Sequence, residues 1–282
     1  MRKIMRLLSV LFLSMFIMCV HNIMDAHSQQ IDEQATARAP WKKGEVITKY
    51  AYPKNDDLET KFLGITNQGY YLVQQFYTHR DIKRSDPYVL ACPGEITDKD
   101  KFWGECKRTG PLVFWYPDGT KEQEGRYQDG KPQGLWTKWY ANGQKDVENQ
   151  YHDGKKHGLW TKWYDNGQKC EEGNYQDNKL RGLWTKWYYN GQKLSEGNYQ
   201  DNKLHGLCAS WYENGQKRVE GRYQNNKLQG LWTSWYRDGQ KLSERNYQDG
   251  KPQGLWTSWY KNGKKRHENR YQDGKKQGFW SK

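Results

Sequence analysis

Seven histidines, seven evenly spaced glutamates and a dense set of tryptophans and tyrosines are the residues of this chain suited to chemistry. Histidines and carboxylates bind metals or move protons only where several of them converge. The histidines are residues 21, 27, 79, 152, 157, 205 and 267. His157 and His205 hold one position of a repeated text, two copies apart, or ~19 Å by strand spacing. Gln133 and Gln229 stand at that position elsewhere, which marks it as polar surface. Glu124, Glu148, Glu172, Glu196, Glu220, Glu244 and Glu268 recur every 24 residues. An acid–base pair needs carboxylates in two different environments. Copies in a single environment point to structure, through a threonine across a hairpin or a nearby lysine. The sequence has no glycine-rich phosphate loop, nucleophile elbow or Cys/His pair. We therefore expect no enzyme, no cofactor and no metal.

The aromatic residues point elsewhere. The chain of 282 residues is only 34% hydrophobic, and its mean hydropathy is -1.23. Such polarity usually means disorder. The 15 Trp and 21 Tyr argue against it, because aromatic rings bury much area per residue. The expectation is an ordered, thin structure without a deep aliphatic core. Trp139, Trp163, Trp187, Trp211, Trp235 and Trp259 are expected to hold the sheet to itself. The candidate binding surface is Trp136, Trp160, Trp184, Trp232 and Trp256 together with Tyr140, Tyr164, Tyr188, Tyr236 and Tyr260.

The elements that must position these side chains follow from a period. Copies begin at Gly110, Gly134, Gly158, Gly182, Gly206, Gly230 and Gly254, and an eighth begins at Gly278. The shared text is roughly G-L-W-T-x-W-Y-x-N-G-Q-K-x-x-E-G-x-Y-Q-D-G-K. A fixed period of this length marks an array of one supersecondary unit. Each unit carries two turn signals, such as Asn190-Gly191 and Asp177-Asn178, between runs such as "LWTKWY". The fold class is all-β: an elongated, single-layer antiparallel β-meander of 24-residue β-hairpin repeats. About 14 strands at ~4.8 Å each would span roughly 65 Å.

Taking Asn190-Gly191 as a two-residue hairpin turn, Tyr188 faces Lys193, Trp184 faces Gly197 and Gly182 faces Tyr199. Leu183, Thr185 and Trp187 then lie on the other side, across from Asn198, Glu196 and Leu194. The even repeat length keeps this parity in every copy. Trp184 is expected to cover Gly197, and Trp160 to cover Gly173.

Around the array the expected divisions are a signal peptide (1–28), a linker (29–44), a small irregular N-terminal β segment (45–109) and the array itself (110–282). Arg2, Lys3 and Arg6 precede the apolar run Leu7 to Val20, and Ala26 and Ser28 are spaced for cleavage. The run is short for a membrane span, though retention as an anchor stays open. Met18 disfavours lipid anchoring at Cys19. Shifting back one period from Gly110 suggests a degenerate capping repeat, which separates Cys92 from Cys106. A disulfide between them competes with that register, and the sequence leans to the repeat. Cys170 and Cys208 lie three strands apart, ~14 Å, beyond bonding reach. Cys208 takes the place of a tryptophan and reads as a packing variant.

The text "WYxNGQKxxEGxYQDGK" resembles the MORN-repeat variant found in bacterial proteins labelled YwqK-type antitoxins. The resemblance runs from Gly110 to Lys282 and implies an antiparallel sheet used for binding lipid headgroups or proteins. The antitoxin label would imply a cytosolic toxin as partner, which an export signal contradicts. A weaker similarity is to the aromatic hairpins of choline-binding cell-wall modules. The resulting expectation is an exported, non-enzymatic scaffold that holds another protein on its aromatic face. The alternatives are antitoxin-like neutralisation of a partner protein, or attachment to anionic membrane lipid or envelope glycan. The second would use the basic patch of Lys264, Lys265, Arg266, Arg270, Lys275 and Lys276, in a chain of net charge +13. Export and the interleaved Glu and Asp disfavour nucleic acid.

Overall fold

The computed structural model describes residues 30–50, 58–78, 82–93 and 102–278. The signal-type segment with Cys19, and the final "FWSK", lie outside them. The chain divides into two units, Met1–Gly143 and Gln144–Lys282, each described here by itself.

The first unit contains helix α1 (Glu33–Arg38) and strands β1 (Val46–Tyr50), β2 (Leu58–Ile65), β3 (Tyr71–Tyr77), β4 (Ile82–Lys83) and β5 (Tyr88–Ala91). A short helix α2 (Phe102–Glu105) leads to β6 (Lys107–Trp115), β7 (Lys121–Gln128) and β8 (Lys131–Trp139). All pairings are antiparallel: β1 with β2, β2 with β3, β3 with β4 and β5, and then β5 through β8 in order.

Residues 30–44 of the expected linker 29–44 fold onto this unit. The Asp32 carboxylate caps α1 by accepting from the Ala35 N–H at 2.9 Å. Thr36 Oγ1 accepts from the Ile65 N–H at 2.9 Å. Trp41 is buried against Phe62, Tyr71 and Phe102, with ring centroids 4.6 to 6.2 Å apart. The polar residues of this stretch cap a helix, and its one tryptophan anchors it. Composition alone hides both facts.

Cys92 and Cys106 form a disulfide with Cα atoms 4.2 Å apart. This overturns the degenerate capping repeat, because residues 102–105 are helical where that register requires a hairpin. The first full copy begins at β6, whose Gly110 faces Tyr127.

The second unit is an antiparallel meander of β9 (Lys145–His152), β10 (Lys155–Trp163), β11 (Lys169–Gln176), β12 (Lys179–Trp187), β13 (Lys193–Gln200), β14 (Lys203–Trp211), β15 (Lys217–Gln224), β16 (Lys227–Trp235), β17 (Lys241–Gln248), β18 (Lys251–Trp259), β19 (Lys265–Gln272) and β20 (Lys275–Lys276). Each strand pairs with the next. The fold is the all-β repeat meander that the period predicts.

Two kinds of turn alternate. Asp177 and Asn178 both have positive φ, 51° and 67°. That is the two-residue turn whose twist matches its strands. The Asn190-Gly191 turn is instead a three-residue one. The Tyr188 N–H donates to Gln192 O, the Gly191 N–H donates to Tyr188 O, and Gly191 sits at φ +81°. Asn190 Oδ1 accepts from the Gln192 N–H at 3.0 Å, which fixes the bend locally. Tyr188 therefore faces Gln192 and Trp187 faces Lys193, rather than the expected partners. Leu194 is the extra residue, and the register recovers behind it with Lys186 facing Ser195. From there inward the predicted register holds: Thr185 to Glu196, Trp184 to Gly197, Leu183 to Asn198 and Gly182 to Tyr199.

Candidate functional site

The two faces of the second unit differ in what they bury. One face carries a row of indoles. Trp184 is 8% exposed, stacks on Trp160 at 5.0 Å and meets Tyr175 edge-on at 5.6 Å. Its ring lies directly over Gly173, where an added Cβ would collide with it. Trp232 covers Gly221 in the same manner, and in the first unit Trp136 covers Gly125. Each indole thus covers the glycine of the preceding strand. This corrects the expected pairs: Gly173 lies under Trp184, not Trp160, and Trp184 leans away from Gly197. Where the glycine is replaced by Arg245, the guanidinium lies over the Trp256 ring at 5.1 Å.

The other face carries a row of leucines. Leu159, Leu183, Leu207, Leu231 and Leu255 are 43% to 51% exposed, and Leu135 in the first unit 53%. Within the second unit they recur on every second strand, about 10 Å apart. Each faces an Asn or Arg across the hairpin: Asn174, Asn198, Arg222, Asn246 and Arg270. Beside them runs a polar lattice. Thr161 Oγ1 donates to Glu172 Oε2 at 3.3 Å, and Lys169 pairs with the same carboxylate. Lys169 Nζ also lies 5.9 Å from the centre of the Trp187 ring in the next hairpin. The same lysine–glutamate–tryptophan arrangement recurs at Lys193, Glu196 and Trp211, and at Lys217, Glu220 and Trp235. In an unbroken strand, residues three apart point to opposite sides. The extra residue at Leu194 is what lets Lys193 reach Glu196. The glutamate ladder is therefore held by its lysine partners throughout, and Glu172 and Glu268 are bonded to the cross-hairpin threonine as well.

The tyrosines expected to form a platform act as struts. Tyr164 donates to Trp187 O at 2.7 Å, Tyr188 to Trp211 O at 2.9 Å and Tyr236 to Trp259 O at 2.9 Å. Each ties a turn to the next hairpin. Burial, together with the neighbouring Cys170 thiol, pushes the Tyr164 phenol up to about 12. Tyr140 is half-buried, and Tyr260 is exposed with the Arg266 guanidinium over its ring at 5.5 Å. Of the candidate tryptophans, Trp136 and Trp184 are buried and Trp160, Trp232 and Trp256 half-buried. The predicted aromatic platform is largely the sheet's own packing. The leucines were missed. Strand parity puts Leu183 on the face opposite Trp184, and only a polar Asn198 stands across from it. That is the signal that marks it as uncovered.

The basic candidates Lys264, Lys265, Arg266, Arg270, Lys275 and Lys276 are all exposed. Lys265 is paired with Glu268, whose carboxyl is held below its ordinary range chiefly by that bond. His157 sits 3.7 Å from Asp177. Among the described residues no three of His, Cys, Asp and Glu gather as metal ligands would.

The family model for the MORN repeat variant matches residues 132–153, 156–177, 180–201, 204–225, 228–249 and 252–273. The chain belongs to that family. From residue 156 on, each matched MORN-variant segment is one hairpin closed by the three-residue turn, and each two-residue turn straddles a segment boundary, as Asp177 and Asn178 do. The match does not extend to the antitoxin label. No curated protein matches the chain.

Proposed function

We propose that this MORN-variant chain is a non-enzymatic binding platform, exported by its N-terminal segment, that holds a partner protein along its leucine face. The observation that carries this reading is the row of half-exposed leucines. Isolated exposed leucines mean little, but an aligned row offers apolar anchor points at a fixed spacing, with Asn and Arg between them. Asn and Arg side chains beside it supply hydrogen-bond donors, as interface rims do. The regular spacing suits an extended partner segment that crosses several hairpins.

The test is a photo-activatable residue placed at Leu183 or Leu231, compared with one at Lys186 on the indole face, in intact cells. The expected result is a protein adduct from the leucine positions alone, lost on changing Leu159, Leu207 and Leu255 to aspartate. Equal labelling from both faces, or retention in the triple variant, overturns the reading. The exposed basic residues of β19 and β20 favour the second reading, attachment to an anionic surface. That attachment weakens steeply as salt rises, whereas apolar docking does not. Secretion of the mature chain, checked by fractionation and N-terminal sequencing, tests the export part. Turnover of any substrate by the purified chain would refute the non-enzymatic part.

A further inference from the structure

The indole row is interrupted once. Position 208 is the place from which a tryptophan would cover Gly197, as Trp184 covers Gly173 eleven residues before it and Trp232 covers Gly221. Here the residue is Cys208. The Cys208 thiol and Leu204 cover only part of the glycine. A Cβ added at Gly197 would meet Cys208 Sγ at 3.0 Å, Leu204 Cδ2 at 3.1 Å and Cys208 Cβ at 3.7 Å, and no indole atom comes closer than these. What the missing ring leaves is a hollow of about 210 Å³ between the Trp184 and Trp232 side chains. Tyr199, Tyr223 and Leu204 line it as well, together with the charged residues Lys186 and Glu196. Ser195 and Ser210, cross-strand partners, bring hydroxyls to the same lining.

We propose that this hollow is a binding slot for one neutral, planar aromatic ring of indole size, carried by a free small molecule. The argument is one of shape and surroundings. In the flanking hairpins the chain's own indole occupies the equivalent space, flat over a glycine and edge-on to a tyrosine, so both the volume and the wall chemistry are those of a ring site. An apolar cavity of ~150 Å³ is large enough to take one benzene, and this one is larger. Aromatic walls favour a ring in offset or edge-on contact over an aliphatic chain of equal area. The serine hydroxyls can accept from a ring N–H, which favours indole over benzene. Cys208 is half-buried and desolvation pushes its thiol up, so the lining presents a neutral S–H and not a thiolate. The slot lies on the indole face and is independent of the leucine face, so either reading can fail without the other.

The experiment titrates free indole into the full chain and reads the binding by calorimetry, with a parallel measurement of alkylation at each cysteine by mass spectrometry. We expect saturable one-to-one binding, and indole should slow alkylation of Cys208 several-fold while leaving Cys170 unchanged. Cys208→Trp, which fills the slot from within, should weaken binding by about tenfold or more, equivalent to ~1.4 kcal/mol. Cys208→Ala should retain binding. The alkylation arm needs no variant, so it decides the matter even if Cys208→Trp folds poorly. Absence of saturable binding, or binding that leaves Cys208 alkylation unchanged, overturns the proposal. So does full affinity in a folded Cys208→Trp chain.

Discussion

The N-terminal strands and the repeat hairpins are both antiparallel sheet, yet they are held together in opposite ways. In the first, Phe62, Val73 and Phe102 are fully buried, and Trp41 closes an aromatic cluster with Phe62, Tyr71 and Phe102. Its contacts join residues far apart in sequence. In the hairpins most buried side chains are small, such as Thr185, Ala209 and Ser243, the buried indoles Trp136 and Trp184 each lie over one glycine, and the remaining ties stay within one copy or reach the adjacent one. Tyrosine struts, lysine–glutamate pairs and turn-to-turn bonds such as the Asn202 N–H to Leu180 O recur at each step. A chain too polar to build a second core can still be ordered if each unit completes the next.

Five changes probe that contrast, beginning with the largest. Phe62→Ala empties the centre of the N-terminal cluster and should cost ~3–5 kcal/mol. Amide hydrogen exchange should show the loss in β2 and β3 while β13 to β15 keep their protection. Parallel loss in those hairpins would break the distinction. Reducing the Cys92–Cys106 disulfide reopens a segment of separation 14 and should cost about 3 kcal/mol by loop entropy. The same exchange measurement, with and without reductant, should place that loss in the N-terminal strands alone. Within the hairpins, Gly173→Val drives a side chain into the Trp184 ring and should cost ~1–3 kcal/mol. Gly197→Val, beside the smaller Cys208, should cost visibly less in denaturant unfolding. The smallest effect is a slope. The Tyr164 phenol is raised above its ordinary value, so the folded state holds that proton more tightly than the unfolded state does. Its contribution is full below pH ~10 and is lost as pH rises towards about 12. Tyr164→Phe should flatten the stability–pH curve over that window in thermal melts.

Much of the repeat was legible because the period is strict and side chains alternate. The pairing of Gly182 with Tyr199 and Trp184 with Gly197 follows from one turn and parity. The end of that hairpin was not legible. Asn190-Gly191 closes either a two-residue or a three-residue loop, and the compensating residue Leu194 has no mark in the text. The direction in which an indole leans was equally hidden. Trp184 has a glycine on each neighbouring strand, and strand pairing does not say which one the ring covers. The N-terminal cluster was illegible for a different reason. Trp41, Phe62, Tyr71 and Phe102 share no spacing, and only the folded chain brings them together. As for the surface, the choice of aromatic residues as the exposed ones followed their abundance. Abundance went with burial, and the leucines were left outside.

The even length of the unit reaches into how such a chain can change through time. Gain or loss of a whole 24-residue tile leaves each remaining side chain on the face it already had. An in-frame duplication in the gene therefore lengthens the leucine row by one residue and the indole row by one ring, with no compensating substitution needed. The reach of the surface is in this way an inherited count, adjustable one step at a time.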